Sequence, residues 1–437
     1  MNLVYNVKDR PKFIQVLVFA FQQLLAILAA TIAVPAIVGN GMSQSAALFG
    51  AGVGTLVYLL FTKFRSPVFL GSSFAFLGSM ATAFAGGVSM QLGYLGLILG
   101  AVFAGLVYVI IAVIVKFAGT NWISKLMPAV VIGPTVAIIG LSLAGNAVGD
   151  LTKGASAGVS PYLALVCGLV TLAVTMICSV YGKKMMKMIP FIIGILAGYV
   201  VAALLTVIGT STGNEALMII DFSKFQSMQW YPNFTFLTAF RGISELNLTY
   251  IGTIAIAYIP VAFVVFAEHI ADHKNLSTII GQDLLTEPGL HRTLLGDGVG
   301  SAVGAFFGGC PNTTYGESVG CVAISGNASV VTILTTACMA IVASFIAPFV
   351  TFLATIPSCV MGGVCIALYG FIAVSGLKMI QGVDLNENHN LFVVSVILIT
   401  GVGGLTLSFG KITLTTVACA LILGILTNLL LKGKKKN

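Results

Sequence analysis

Charge is what this chain has least of. Of its 437 residues only 21 are Lys or Arg and 13 are Asp or Glu, against 58% hydrophobic residues. With a mean hydropathy of +1.06, there are too few polar side chains to clothe a water-soluble globule of this size. The solvent around most of the surface must be lipid. Cysteine is sparse and scattered: Cys167, Cys178, Cys310, Cys321, Cys338, Cys359, Cys365 and Cys419 stand singly in apolar segments. No Cys-x-x-Cys pair and no His at ligand spacing accompanies them, so they read as small core residues and not as a metal or redox centre. There is no phosphate-cradling glycine loop, no nucleophile elbow and no soluble nucleotide-binding domain, which argues against an ATP-driven pump and against a membrane enzyme. No cofactor is expected. The formal net charge of +8 sits at the ends of apolar runs and in the C-terminal Lys-Gly-Lys-Lys-Lys-Asn, without a basic stripe interleaved with aromatics, so nucleic acid is not an expected partner.

What the chain does have is apolar length. Runs of roughly 20 residues, enough to cross a hydrocarbon core, recur from Phe13 to Leu431. They are placed at 13–38, 45–62, 66–86, 92–115, 127–149, 160–181, 188–210, 249–272, 292–308, 310–326, 328–353, 357–378, 390–409 and 412–431, fourteen spans in all. The first run has no small-residue cleavage site and reads as a retained span, not a targeting peptide. With the N-terminus placed inside, all of the 21 Lys and Arg fall on the inner side except Lys153, Lys224, Arg241 and Lys411. That bias predicts a multi-pass protein with both termini cytoplasmic.

The polar segment from Ser211 to Asn247 divides the spans seven and seven. An odd number per half forces the halves into opposite orientations, an inverted repeat that in carriers places the solute near mid-membrane at interrupted helices. The third span of each half looks interrupted. Gly71-Ser72-Ser73-Phe74-Ala75-Phe76 lies in one, and Gly308-Gly309-Cys310-Pro311-Asn312-Thr313-Thr314-Tyr315-Gly316-Glu317 in the other. Unwound backbone at membrane depth is tolerated only where protein buries it or a cavity adjoins it. The plainer alternative is that these glycines let helices pack closely.

Four acids fall within apolar runs, and each is a functional candidate by its cost alone. Glu268 and Asp272 lie one turn apart on the eighth span, after Pro260 and beside His269 and His273; Asp297 opens the ninth, between Gly296 and Gly298; Glu317 closes the interrupted stretch of the tenth. Two carboxylates on opposed elements suit a planar solute, each taking an N–H while nearby backbone amides donate to carbonyl oxygens. Phe74 and Tyr315 are placed to sandwich a flat ring. A carboxyl held away from water can load and release a proton as its surroundings change, a route to proton coupling through Glu268 and Asp272. The alternative is that these acids pair with His or backbone to tie helices together. A metal at His269 and His273 lacks a third ligand, and a passive channel would want a wide polar pore lining.

Taken in order, several short motifs resemble the nucleobase/ascorbate transporter family, closest to its bacterial uracil permeases. They are Ala30-Thr31 with Val34-Pro35, Gly71 to Phe76, Ala118-Gly119-Thr120, Ile189-Pro190 through Gly198-Tyr199, Ala267-Glu268-His269, Pro288 to Arg292, Pro311 to Glu317, and Met361-Gly362-Gly363 through Tyr369-Gly370. The resemblance implies an all-α fold of fourteen spans in a bacterial cytoplasmic membrane. A core domain would comprise residues 1–126 and 241–356, and a gate domain 127–240 and 357–437, with short antiparallel strands in the third and tenth spans forming the site. It further implies that Glu268 and Glu317 bond the edge of uracil and that the amides of Phe74 and Gly316 meet its oxygens. Ala30, Tyr315 and Tyr369 would line the ring, protons would be co-transported, and homodimers would form through the gate domain. Three positions depart from the family pattern: Gln22-Gln23 where Gln-His is common, Asp272 where some uracil permeases carry a second His, and Ser318-Val319-Gly320 after Glu317 where Asn and Thr are usual. A purine carrier on the same scaffold (xanthine, guanine or uric acid) and an anion transporter of the same general fold are the rival readings.

Overall fold

The computed structural model describes residues 3–119, 122, 128–183, 185–409 and 412–431. Thr120 of the third motif, the charges Lys125, Lys184 and Lys411, and the tail from Lys432 lie outside the described residues.

Long apolar helices form because nothing in their interiors competes for the backbone, and their ends carry recognisable stops. Helix α1 (Phe13–Val38) ends at Gly39, whose φ of 68° suits a residue without Cβ. Helix α2 (Gln44–Phe61) is capped by Ser43 Oγ, which accepts from Ala46 N at 3.2 Å. After α2 the chain does not resume a helix. Pro67, Gly71 and paired serines favour extended backbone, and strand β1 (Leu70–Ser72) leads through a tight turn at Phe74–Phe76 into the short α3 (Leu77–Ala83). Helix α4 (Met90–Ala118) follows, then α5 (Ala129–Ser142), α6 (Ala144–Asp150), α7 (Pro161–Tyr181) and α8 (Pro190–Thr212). A linking segment contains α9 (Thr235–Ala239).

The second half opens with α10 (Leu248–Ile280), which carries Pro260 and reaches two turns beyond the expected end at 272. Helix α11 (Leu290–Gly308), strand β2 (Asn312–Thr314) and α12 (Gly316–Ser325) follow. Next come α13 (Val330–Ala343) and α14 (Ala347–Thr355), bent by 84° relative to one another within the span expected at 328–353. Helix α15 (Ser358–Met379), α16 (Asn388–Val402), a hairpin of β3 (Leu407–Phe409) and β4 (Ile412–Leu414), and α17 (Thr416–Leu431) complete the chain. The expected span 390–409 therefore stops at Val402, because the Gly403-Gly404 pair, the latter at φ 72°, releases the helix into that hairpin.

Among the described residues eight helices are long and apolar enough to cross a membrane, or nine if α13 and α14 count together. The chain is a predominantly helical, multi-pass integral membrane protein.

β1 and β2 come from distant parts of the chain and pair antiparallel, Leu70 opposite Thr314, Gly71 opposite Thr313, and Ser72 opposite Asn312. Both are wholly buried, and their remaining backbone groups find partners nearby, as unwound chain at membrane depth requires. Thr55 Oγ1 accepts from Leu70 N at 2.9 Å, Phe69 N donates to Ser318 Oγ at 3.0 Å, and Tyr315 OH donates to Ser72 O at 2.8 Å. A Cβ on Gly71 would strike the Tyr315 ring, so only glycine lets the two breaks approach. Close packing behind the pair has the same origin: α11 lies against α2 and α4. Gly304 faces Gly50, Gly300 faces Gly54 and Gly298 faces Gly105; a side chain on Gly304 would strike Asn312, and one on any of the other five would meet the opposing backbone. Elsewhere α15 packs on α5 and α7, and α16 on α5 and α17. The N-terminal strand-like segment steadies the end of α12, with Val4 N donating to Gly326 O at 2.8 Å and Ala328 N to Tyr5 O at 2.9 Å.

Candidate functional site

The stretch Glu268-His269-Ile270-Ala271-Asp272-His273 sorts its polar groups by helical face. Glu268 and Asp272, one turn apart, border a cavity of about 360 Å³ on α10. His269 and His273, each offset by one residue, are wholly buried against the neighbouring helices. Nδ1 of His269 lies 2.7 Å from Asp297 Oδ2 and its Nε2 lies 3.0 Å from Thr293 Oγ1, both on α11. The Nδ1–H of His273 donates to His269 O at 2.8 Å, leaving Nε2 to face the Tyr58 hydroxyl at 2.7 Å. The two imidazoles stack with centroids 4.0 Å apart. Asp297 thus serves the helix-tying alternative raised for it, and Glu268 and Asp272 do not share that pairing. Among the described residues no group of three or more His, Cys, Asp or Glu is arranged to hold a metal ion.

Glu317 stands in the first turn of α12, where the free N–H groups and dipole of a helix start favour a negative or hydrogen-bond-accepting partner. Asp272 is tied to the same break, its Oδ2 accepting from Thr314 Oγ1 at 2.9 Å. Glu268, Gly316 and Glu317 line both the 360 Å³ cavity and a smaller one of about 40 Å³ directly beyond it. The smaller cavity is completed by Phe74, Tyr315 and Ile139, among others. Five of the expected site residues therefore meet around one space, brought there by the strand pair and by the helix starts it feeds. Asp272 borders only the larger cavity.

Two expected lining residues border neither cavity. Ala30 is buried within α1, and Tyr369 lies behind Phe74, its ring edge-on at 5.6 Å between centroids. The Tyr369 hydroxyl is buried beside the Cys365 thiol and bonds to no oxygen or nitrogen of the described residues. Conversely, Ile139 of α5 and Ile372 of α15 border the small cavity and carry no signal in sequence, being two isoleucines among many. Gln23 has a role that its departure from the family pattern hints at: its Nε2 donates to Ser318, whose Oγ also receives Phe69 N. One hydroxyl thereby joins α1, the approach to β1, and the helix that carries Glu317.

The model described as Permease family matches residues 14–409. The uracil permease of Bacillus caldolyticus is 39% identical over 435 residues, covering 99% of this chain and 95% of that protein. The uracil permease of Bacillus subtilis (strain 168) is 38% identical over 442 residues, covering 99% and 96%. Among solved structures, the transmembrane domain of a cyanobacterium bicarbonate transporter BicA aligns with a TM-score of 0.65 at 15% identity, covering 97% of this chain and 99% of that one, which speaks to fold alone. A full-length match of this kind, on a multi-pass fold, makes the chain a transporter and not an enzyme. It belongs to the permease family of nucleobase/ascorbate transporters.

Proposed function

We propose that this permease imports uracil together with protons across a bacterial cytoplasmic membrane by alternating access. The observation that carries the reading is that Glu268 and Glu317, from elements far apart in the chain, line one cavity at the point where two helices are interrupted. Two carboxylates there can each accept an N–H of a pyrimidine dione, while amides at the start of α12 and at Phe74 offer donors to its oxygens. Phe74 and Tyr315 supply apolar ring faces. The names of the two Bacillus relatives support uracil as the solute. Glu268 and Asp272, side by side on α10, are the proposed proton carriers. Asp272 also bonds to β2, so a change in its protonation reaches the break itself.

The finer architecture belongs to the same proposal. It has fourteen spans as a seven-plus-seven inverted repeat, with α3 and its preceding strand as one interrupted span and β2 with α12 as the other. Both termini are cytoplasmic. The core comprises residues 1–126 and 241–356, and the gate 127–240 and 357–437. Support comes from the packing partners, since α11 joins α2 and α4 while α15 joins α5 and α7. A homodimer would use the gate surface. Uptake of radiolabelled uracil into proteoliposomes, competed by a panel of bases, tests the reading directly. Competition by uracil well ahead of xanthine, guanine and uric acid, with uptake collapsing on addition of a protonophore, is the expected result. A purine that outcompetes uracil would replace the substrate assignment, and indifference to the protonophore would remove proton coupling.

A further inference from the structure

Three cavities lie one behind another through the middle of the molecule. The inner one, about 360 Å³, extends from Glu268 and Glu317 to the exposed Lys187 and Ser375. The middle one, about 40 Å³, shares Glu268, Gly316, Glu317 and Ile372 with it. At roughly 10–15 Å³ per water, that middle space holds about three waters and no base. An outer cavity of about 280 Å³ adjoins the middle one from the far side, and the two share Phe74, Ala75 and Ile139. Its remaining wall includes Ser142 and Asn146 of α5 and α6, both exposed, and Thr416 at the start of α17. A residue that borders two cavities is the partition between them, so the partition here is one side chain thick.

We infer that Ile139 is the outer gate of the transport route, closing against Phe74 and Ala75, and that the cavity beyond it is the vestibule through which solute reaches Glu268 and Glu317. This rests on the transport reading above. Phe74, Ala75 and Ile139 are 8%, 7% and 2% exposed, whereas the vestibule residues Gly78, Ala81, Ser142 and Asn146 are open to the surface. The two sides of the partition belong to differently packed parts of the fold. Phe74 and Ala75 sit on the turn that β1 feeds, while Ile139 is carried by α5, which packs on α15 and α16. A small displacement of α5 relative to the turn parts them. Being wholly apolar, the constriction excludes water when shut, which is how hydrophobic gates seal. Ile139, β-branched and stiff at χ1, makes a firmer plug than an unbranched side chain would.

The vestibule contains none of the eight cysteines, and with the exposed Cys338 replaced by Ser in every variant the introduced thiols there report without overlap. In membranes of known sidedness, Ser142→Cys and Ile139→Cys are each exposed from the outer side to a membrane-impermeant maleimide. Ser142→Cys should react at least about 10-fold faster than Ile139→Cys, and uracil should change the Ile139→Cys rate by about 3-fold or more while leaving Ser142→Cys unmoved. Equal rates at the two positions, or an Ile139→Cys rate indifferent to uracil that the wild-type protein demonstrably binds, would overturn the gate. Because Ser142 is exposed, Ser142→Trp should fold, and by filling the vestibule it should lower uptake at least about 10-fold while the purified protein keeps its uracil affinity within about 3-fold. Wild-type uptake in Ser142→Trp would remove the vestibule from the route. If wild-type protein binds no uracil, the substrate assignment fails, and the ratio of the two labelling rates still decides the gate.

Discussion

Two faces of α10, one residue apart in sequence, treat polar groups in opposite ways. On one face His269 and His273 are closed in by Asp297, Thr293 and Tyr58, each partner within hydrogen-bonding distance. On the other, Glu268 and Asp272 border open space, with only Asp272 given a side-chain partner among the described residues, in Thr314. Both faces lie in a span where a charge is costly. The difference teaches that a polar side chain in lipid-embedded structure is structural where neighbouring helices enclose and bond it and functional where it faces a cavity. Saturation alone does not decide, since Asp297 Oδ1 finds no partner among the described residues. An enclosed group holds helices together. One beside a cavity is a binding offer.

The sharpest way to break that comparison is to neutralise each face in turn. Glu268→Gln keeps size and fold but replaces an acceptor by a mixed donor and acceptor. Uracil affinity measured by isothermal titration should fall by about 100-fold or more, since hydrogen bonds to a charged partner contribute about 1.5–3 kcal/mol and a mismatched donor adds to the loss. Undiminished binding would take Glu268 out of the site. Asp297→Ala should do the reverse. Leaving His269 buried without its acceptor should cost about 1–3 kcal/mol of stability, read as a lower midpoint of thermal unfolding in detergent. The fraction that folds should keep its affinity within about 3-fold. A large loss of affinity at full stability would mean that the two faces are not separate.

Scarcity of charge made much of this legible. With so few acids in apolar runs, Glu268, Asp272, Asp297 and Glu317 stand out, and the two clusters of Gly, Pro and hydroxyl residues mark the interrupted helices that become β1 and β2. The partner that makes Asp297 structural was not legible, because His269 and Asp297 are 28 residues apart and meet only through the packing of α11. The apolar partition was hidden for a different reason: Ile139 and Ile372 have the composition of every other span. Tyr369, expected to line the ring, lies one layer back behind Phe74, since an edge-on pair occupies the position that a cavity would need. Local chemistry also overrode apolar length at Gly403-Gly404, where the hairpin replaces the last turns of a span.

Smaller changes refine the comparison within the open face. Glu317→Ala removes a carboxylate from the start of α12 but leaves its backbone donors, so affinity should fall by about 10-fold to 30-fold, less than for Glu268→Gln. Equal losses would mean the helix start contributes nothing of its own. The smallest effect is expected at the hydroxyl that positions α12. Ser318→Ala withdraws the acceptor of both Gln23 and Phe69 N without touching either cavity. Phe69 N loses its partner while Gln23 Nε2 keeps the carbonyl of residue 318 at 3.3 Å, and one orphaned donor costs about 1–3 kcal/mol, so the loss should appear mainly in thermal stability. Uracil affinity should weaken by only about 2-fold to 5-fold through a slight loosening of Glu317. If Ser318→Ala instead abolished binding at unchanged stability, the line between groups that hold the fold and groups that meet the solute would have to be redrawn to include this hydroxyl.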